Sequence, residues 1–468
     1  MPIDRSKLDR RRFLKHAAAG LSAATVGPSV LQAAEAGTSQ PAADQTKVDP
    51  KSLIWRNKVA GTEYRRLGRT NFMVSRMVAG WLRNKSMWRR VLARGVNYFD
   101  HARGYGEYEV EAKDFLKKNR DKIWITSKST NIAGFRRVDP QVDKLYRQAI
   151  KDYLGDDEGK LINLHEKAIE KQKKTGKKPD LRPAGKLIAK LYLQMLDQSL
   201  SRMGIDHVDC YMMHGIEIPW IFDCLELWEA YQKAHQAGKI KHFGHSVHKH
   251  QQAVLAATVE ANKRGPWKID LVMPSVNPVT FDEWKTELAA LKKQDVGIIA
   301  MKTTGVKSRP IEGVRKDKLK ALGEIEQYNE YERKKLYMLH LTEDIIDACI
   351  AQINNNDEME KNLALPSVKM SAAAERELRT IVKLEMAGAC HLCGNCTAIC
   401  PECIAVTDMI RYYAYIHQYN EKEMARELYA LAGYDPAKVC TNCGKCENVC
   451  MSDVPITKLL HKLSADLA

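Results

Sequence analysis

Along the middle of the chain, short apolar runs alternate with stretches whose apolar residues recur every three or four positions. The short runs are Met77–Gly80, Asn97–Asp100, Ile123–Ser127, Val208–Met213, His242–Val247, Leu271–Val276, Val296–Met301 and Asp347–Ile353. Between them, Met87–Arg94, Cys224–Ala237, Gln251–Lys263 and Glu283–Lys293 carry helical spacing. Eight strand/helix units in about 300 residues predict an α/β fold, a (β/α)8 barrel. A doubly wound open sheet has the same periodicity. No Gly-x-Gly-x-x-Gly follows an early strand, which weakens a dinucleotide fold of that kind.

The alternation is interrupted once. Residues 136–186 hold 14 Lys/Arg and nine Asp/Glu, with Lys173, Lys174, Lys177 and Lys178 clustered. Leu161, Leu164, Ala168 and Ile169 suggest one amphipathic helix there. The stretch reads as a charged surface insertion, with a docking surface for an acidic partner as the sharper reading.

Length sets the domain count. The chain has 468 residues, so two or three domains are expected. It is 44% hydrophobic and 28% charged, enough for a large core, and wholesale disorder is excluded. No apolar run is long enough for a transmembrane helix. Lys plus Arg number 74 against 58 Asp plus Glu, a formal +16. Charge alone does not make a nucleic-acid binder, and no base-stacking or base-reading signature accompanies it, so no nucleic-acid partner is expected.

The first residues read as an address. Residues 10–15 are Arg-Arg-Arg-Phe-Leu-Lys, an Ala-rich apolar stretch follows to Leu31, and Ala34-Glu35-Ala36 offers a small-residue cleavage site. This resembles a twin-arginine export signal, with Arg10 and Arg11 as the pair and Asp9 where Ser or Thr is usual. The resemblance implies export of a folded, cofactor-loaded protein to the periplasm. The expected division is a signal at 1–36, a linker at 37–62, a barrel at 63–365 and a C-terminal domain at 366–468.

Within the barrel, EYRRLGRTNFMVS at Glu63–Ser75, GVNYFDHARGYG at Gly95–Gly106, ITSKS at Ile125–Ser129, LDQSLSRMGIDHVDCYMMH at Leu196–His214 and GKIKHFGHS at Gly238–Ser246 form a consistent set. Together they resemble the aldo/keto reductase family over most of residues 63–365. The resemblance implies that Asp100, Tyr105, Lys128 and His214 stand at the C-terminal ends of barrel strands, where such enzymes keep their chemistry. Reducing a carbonyl requires a proton for the developing alkoxide. A phenol, with its ordinary pKa near 10, is a reluctant acid–base group at neutral pH. An ammonium beside it favours the phenolate. Tyr105 is therefore the expected proton donor, Lys128 its tuner, Asp100 the anchor of Lys128, and His214 the group that orients the substrate oxygen.

The family also implies NADP(H), here with Ser246, Asn277 and Lys302 as candidate contacts. Val247 stands where the family has an Asn, and Met273 where it has a Gln. Neither replaces an amide's hydrogen bonds. Lys307 and Arg309 follow in a run without a clear phosphate-gripping pattern.

Twelve cysteines are unevenly placed: Cys210, Cys224 and Cys349 stand singly and nine lie between Cys390 and Cys450. Cys390, Cys393, Cys396 and Cys400 follow C-x2-C-x2-C-x3-C before Pro401, and Cys440, Cys443, Cys446 and Cys450 repeat the spacing before Met451. Two such runs signal two [4Fe–4S] clusters. In two-cluster ferredoxins the fourth cysteine crosses over. The expected ligand sets are thus Cys390, Cys393, Cys396 with Cys450, and Cys440, Cys443, Cys446 with Cys400. Ile410–Ala432 between the runs looks helical, and the tail resembles the helical two-cluster type found behind a subgroup of aldo/keto reductases. Cys403 is a spare thiol or an alternative ligand.

The expected function is an exported iron–sulfur oxidoreductase acting on a carbonyl/alcohol substrate, with electrons routed through the clusters to or from a redox protein or membrane electron carrier. The alternative is an electron-transfer or binding module on a catalytically retired barrel.

Overall fold

The computed structural model describes residues 48–467 apart from 81, 83, 131–146, 149, 153, 158, 162, 164–166, 168–181, 217–218, 306–322 and 387. The twin-arginine signal at 1–36, most of the charged insertion including Lys173, Lys174, Lys177 and Lys178, and both Lys307 and Arg309 lie outside the described residues. Val48–Ala468 forms one compact unit. Among the described residues no helix is long and apolar enough to cross a membrane.

Two short strands, β1 (Tyr64–Arg66) and β2 (Met73–Ser75), pair antiparallel. Eight more follow: β3 (Met77–Ala79), β4 (Tyr98–Asp100), β5 (Trp124–Lys128), β6 (Val208–Ile216), β7 (Ile240–Val247), β8 (Leu271–Pro274), β9 (Gly297–Ala300) and β10 (Ala348–Ala351). They close into a barrel in the order β10-β3-β4-β5-β6-β7-β8-β9, and their recorded pairings are parallel. The (β/α)8 expectation therefore holds, and the open-sheet alternative does not.

The alternation of strand side chains decides what lies inside. Phe99, Ile125, Tyr211, Met213, Phe243 and Val272 face the surrounding helices. Their neighbours Tyr98, Trp124, Cys210, Met212, Leu271 and Met273 fill the barrel interior. Leu67, Phe72 and Val74 of the β1–β2 hairpin join that inner cluster and plug the N-terminal end. Gly68 makes the close approach workable. It has φ 49°, and a Cβ there would meet the nitrogen of Gly297 at 2.3 Å.

Two expected boundaries differ from the packing. Residues 48–62, placed in a linker, are strapped to the barrel. Ile54 bridges to Phe72, and Arg56 reaches the fully buried Asp209 at 2.9 Å. Asp209 also holds Arg120 at 2.9 Å and accepts the Ile125 amide at 2.9 Å. Burial opposes its charge, but Arg120 and Arg56 hold the carboxyl below its ordinary range. A buried carboxylate needs those partners, so the strap is part of the fold.

The helix Ala372–Met386, assigned to the C-terminal domain, packs Ala374, Leu378, Ile381, Val382 and Met386 into the outer core of the barrel. Its Glu385 pairs with Arg333 on the helix Glu330–His340. The C-terminal core begins beyond it, with Ile404, Met409, Ile410, Tyr413, Leu459 and Leu463. Nor is Ile410–Ala432 one helical stretch. Helices Val406–His417 and Lys422–Ala432 are separated near Asn420, whose left-handed φ of 55° breaks the helical run.

Candidate functional site

At the C-terminal end of the barrel, alternation brings polar residues inward one layer above the apolar plug. Asp100 ends β4, Lys128 ends β5 and His214 lies near the end of β6. Lys128 Nζ lies 2.6 Å from both Asp100 oxygens and donates to the His101 carbonyl at 2.9 Å. The two side chains are 1% and 3% exposed. A pair this dry persists because each charge finds its hydrogen bonds.

Tyr105 sits in the loop after β4, and its hydroxyl donates to Asp100. Its ring centre is 5.9 Å from that of His214, edge to face at 84°. The four side chains expected to act together do stand together.

Their electrostatics differ from the expectation. Burial, then the Asp100 charge, pushes the Tyr105 phenol well above its ordinary 10. Lys128 does not lower it, for a geometric reason. The ammonium is spent on both oxygens of Asp100 and faces the Tyr105 ring 5.2 Å from its centroid. Asp100 itself is raised by burial, against the pull of Lys128. Burial, with the Lys128 charge behind it, holds the His214 imidazole down at about 3. Tyr105 is therefore a phenol and His214 a neutral imidazole at ordinary pH, both equipped to donate to a substrate oxygen.

The candidate nicotinamide contacts are otherwise engaged. Ser246 Oγ accepts the Gly215 amide at 2.9 Å. Asn277 caps the helix Pro278–Lys293 through its side-chain oxygen and gives its Nδ2 hydrogen to the His391 carbonyl at 2.8 Å. Val247 turns into the outer core, and Met273 lies in the inner one. Lys302 is in the turn after β9 at φ 55°, and its charge reaches His214 and His248. These residues do not fit a nicotinamide carboxamide. Its partners are replaced by apolar groups or bonded to the protein's own backbone.

The cysteines gather as two sets, each crossing between the runs. Cys390 lies within electrostatic reach of Cys396, Cys393 and Cys450. Cys400, Cys440, Cys443 and Cys446 line one hollow. Thiols set around a hollow suit a cubane. Among the described residues no three His, Cys, Asp or Glu side chains converge on one metal ion. Burial pushes Cys396 up to about 12 and Cys446 to about 11, so the positive charge of iron must draw the protons off. Hydrogen bonds already aim at sulfur: Leu392 N on Cys390 at 3.5 Å and Val454 N on Cys450 at 3.4 Å. Thr407 Oγ1 lies 3.4 Å from Cys396 Sγ.

Both runs have the same backbone. Leu392 and Gly394 have φ 55° and 85°; Asn442 and Gly444 have 56° and 70°. Cys403 at 55° repeats Asp453 at 48°, and each donates its amide to the carbonyl three residues back. Cys403 thus occupies a turn position that the second run fills with a carboxylate residue.

The residues 83–310 match the Aldo/keto reductase family, and 389–455 match the 4Fe-4S dicluster domain. The chain joins an aldo/keto reductase domain to a 4Fe-4S dicluster domain. It is an oxidoreductase of that type. Similar solved structures include an aldo-keto reductase from Bacillus halodurans in its holo form. It is 20% identical, with 68% of this chain and 96% of that chain covered and a TM-score of 0.46. Another, from Brucella melitensis, is 16% identical, with 68% and 99% covered and a TM-score of 0.44. No curated protein matches the chain.

The dicluster domain rests on the reductase barrel at the ends of its fifth, sixth and seventh strands. Besides Asn277 on His391, a Cβ on Gly394 would lie 3.0 Å from the His248 carbonyl, and one on Gly305 would lie 3.3 Å from the Cys390 carbonyl. The His248 ring centre is 6.3 Å from that of His214. His248 went unnoticed in the sequence. The signal for it is alternation, because it lies two residues beyond the inward Ser246. His391 and Ser452, whose side chains bond each other across the two runs, carry no sequence signal beyond proximity to cysteines.

Proposed function

We propose that the chain is an exported iron–sulfur oxidoreductase that interconverts a carbonyl and its alcohol at Asp100, Tyr105, Lys128 and His214, with electrons passing through two [4Fe–4S] clusters. One observation carries the reading. From the His214 ring, the His248 ring is 6.3 Å away, and the His248 carbonyl abuts Gly394, which lies between Cys393 and Cys396. The proton-handling group and the first cysteine loop are therefore neighbours through one residue.

The clusters, when bound, supply one-electron transfer. Cys390, Cys393, Cys396 and Cys450 would hold one, and Cys400, Cys440, Cys443 and Cys446 the other. The protein's own residues do the rest. Tyr105 gives the proton that the substrate oxygen takes up. The other, on carbon, comes from solvent, and the two electrons would come one at a time from the two reduced clusters. The neutral His214 donates to the same oxygen and fixes its place. Before substrate binds, Asp100, held by Lys128, accepts the Tyr105 hydroxyl hydrogen and keeps the phenol oriented; that single hydrogen turns from Asp100 to the substrate oxygen when Tyr105 acts. The barrel wall beneath them is apolar, which keeps water from the pair. No step runs through a nicotinamide, since its contacts do not fit.

The test is anaerobic isolation, followed by iron and sulfide analysis and electron-spin-resonance spectra before and after dithionite. Single-turnover mixing of the reduced protein with aldehydes and ketones follows. Two reducible clusters and carbonyl consumption that fails in Tyr105→Phe support the proposal. Intact clusters with no carbonyl turnover by the wild type would sink the catalytic part. Export is tested by locating the wild-type chain and an Arg10→Lys/Arg11→Lys variant in cell fractions.

A further inference from the structure

The two cysteine runs share a backbone but not an environment. In the first, His391, Leu392 and Gly394 are buried, pressed on the barrel through Asn277, Gly305 and His248. In the second, the matching Thr441 and Asn442 are exposed, and so is Cys443, a ligand candidate. Cys396 of one set lies within electrostatic reach of Cys446 of the other, so the sets are contiguous. A relay built this way has an inner end at the barrel and an outer end at Thr441–Lys445.

The outer end is rimmed by cations. Lys438 precedes Cys440 by two residues, and its side chain is 84% exposed although 3.8 Å from Asp435. Lys445 lies between Cys443 and Cys446 and is exposed. Lys458, also exposed, follows Thr457, which lines the hollow of the second set. One turn after Lys458, His461 Nε2 lies 3.2 Å from Asn442 Oδ1 and so places this face of the helix Ile456–Leu467 beside the loop. Against them stand Glu402, which accepts from Thr441 at 3.4 Å, and Glu447, which is turned inward to the Thr457 amide at 2.8 Å.

We propose that Thr441–Lys445, rimmed by Lys438, Lys445 and Lys458, is the docking surface for an acidic one-electron carrier protein. This rests on the two-cluster reading above and adds the place and charge of the partner. The step is a single electron leaving the carrier's reduced metal centre and entering the cubane held by Cys400, Cys440, Cys443 and Cys446. The carrier is oxidised by one electron and the cubane reduced by one; no bond forms or breaks and no proton moves. Opposite charges steer the encounter, and salt screens it.

The test uses the full, cluster-loaded chain and stopped-flow absorbance. Reduced plant-type ferredoxin, an acidic carrier, is the probe, and dithionite is the control. The expected result is ferredoxin-driven cluster reduction that slows on the order of tenfold from low to high salt. Lys438→Glu/Lys445→Glu/Lys458→Glu should slow it by a similar factor at low salt, with the dithionite rate unchanged. Lys117→Glu/Lys118→Glu, on the exposed face of the helix Tyr108–Asn119, should change neither rate. A ferredoxin rate indifferent to salt and to the triple reversal overturns the proposal, as does an equal loss in the control pair. Absence of any dithionite-generated cluster signal overturns the two-cluster reading instead, which keeps the two failures distinct.

Discussion

The side-chain amide of Asn277 donates to the backbone carbonyl of His391 at 2.8 Å, across 114 residues of sequence. The same side chain accepts the amides of Val279 and Thr280 at 3.2 Å. One residue thus caps a barrel helix and pins the first cysteine loop to the barrel.

Asn277→Ala removes both functions. A lost cap costs about 1 kcal/mol, and a buried carbonyl left without its donor costs about 1–3 kcal/mol more. Asn277→Asp keeps the cap oxygen and loses the donor to His391. Both variants are expected to release iron faster than wild type on chelator challenge, with Asn277→Ala also less stable to denaturant. Unchanged iron release in both would show that the pin is dispensable.

Tyr105 supplies a pH prediction. Burial and the Asp100 charge raise its phenol, so the proton stays on through neutral and mildly alkaline pH. Carbonyl turnover should not fall between pH 7 and 9.5 through loss of that proton. Tyr105→Phe should lower turnover by about 10²–10⁴-fold, with the cluster spectra unaltered. A descending limb near pH 8 that disappears in the variant would show a lowered phenol instead.

The buried histidines predict acid sensitivity. Burial holds His101, with Lys128 adding to it, and His245 at about 3, against an unfolded value near 6.5. The fold therefore binds fewer protons than the unfolded chain between these values. Stability is full above about 6.5 and declines as pH falls toward 3. Two groups give a slope of at most about 3 kcal/mol per pH unit. Denaturation midpoints measured from pH 8 to 4 should show the decline below 6.5, and a flat profile would contradict it.

The cysteines give a pairing test. Cys403→Ser, at a turn position matched by Asp453, should retain full iron and both cluster signals. Cys450→Ser should lose the signal of the set with Cys390, and Cys400→Ser that of the set with Cys440. Each loss separates a cysteine from its own sequence run, which iron counts and spin-resonance spectra resolve.

The candidate catalytic group was legible through the family resemblance, whose motifs carry Asp100, Tyr105, Lys128 and His214, and strand alternation agrees with it. Once β4, β5 and β6 are placed, Asp100, Lys128 and His214 fall on inward positions at strand ends, and Tyr105 follows by motif. The cofactor contacts were less legible. Ser246 and Asn277 are polar residues at suitable positions, but Gly215 and His391 claim them, and neither neighbour is near in sequence. The helix Ala372–Met386 was misassigned for a similar reason. Its amphipathic face shows that it packs, not on what.

The sequence by itself determined eight alternating strand–helix units, through their periodicity, and the two thiol-rich loops, through local spacing; closure of the strands into a barrel was seen in the structure. Both are short-range patterns that backbone geometry reads directly. Only the tertiary structure decided the rest. It set which thiols meet across the runs, and it raised Tyr105 where a lowering was expected. It also buried one cysteine loop against the barrel and left its repeat exposed. The two loops share cysteine spacing and backbone, and they differ locally where Leu392 of the buried loop is matched by Asn442 of the exposed one. Their difference in burial comes from what packs against each, and packing partners lie far away along the chain.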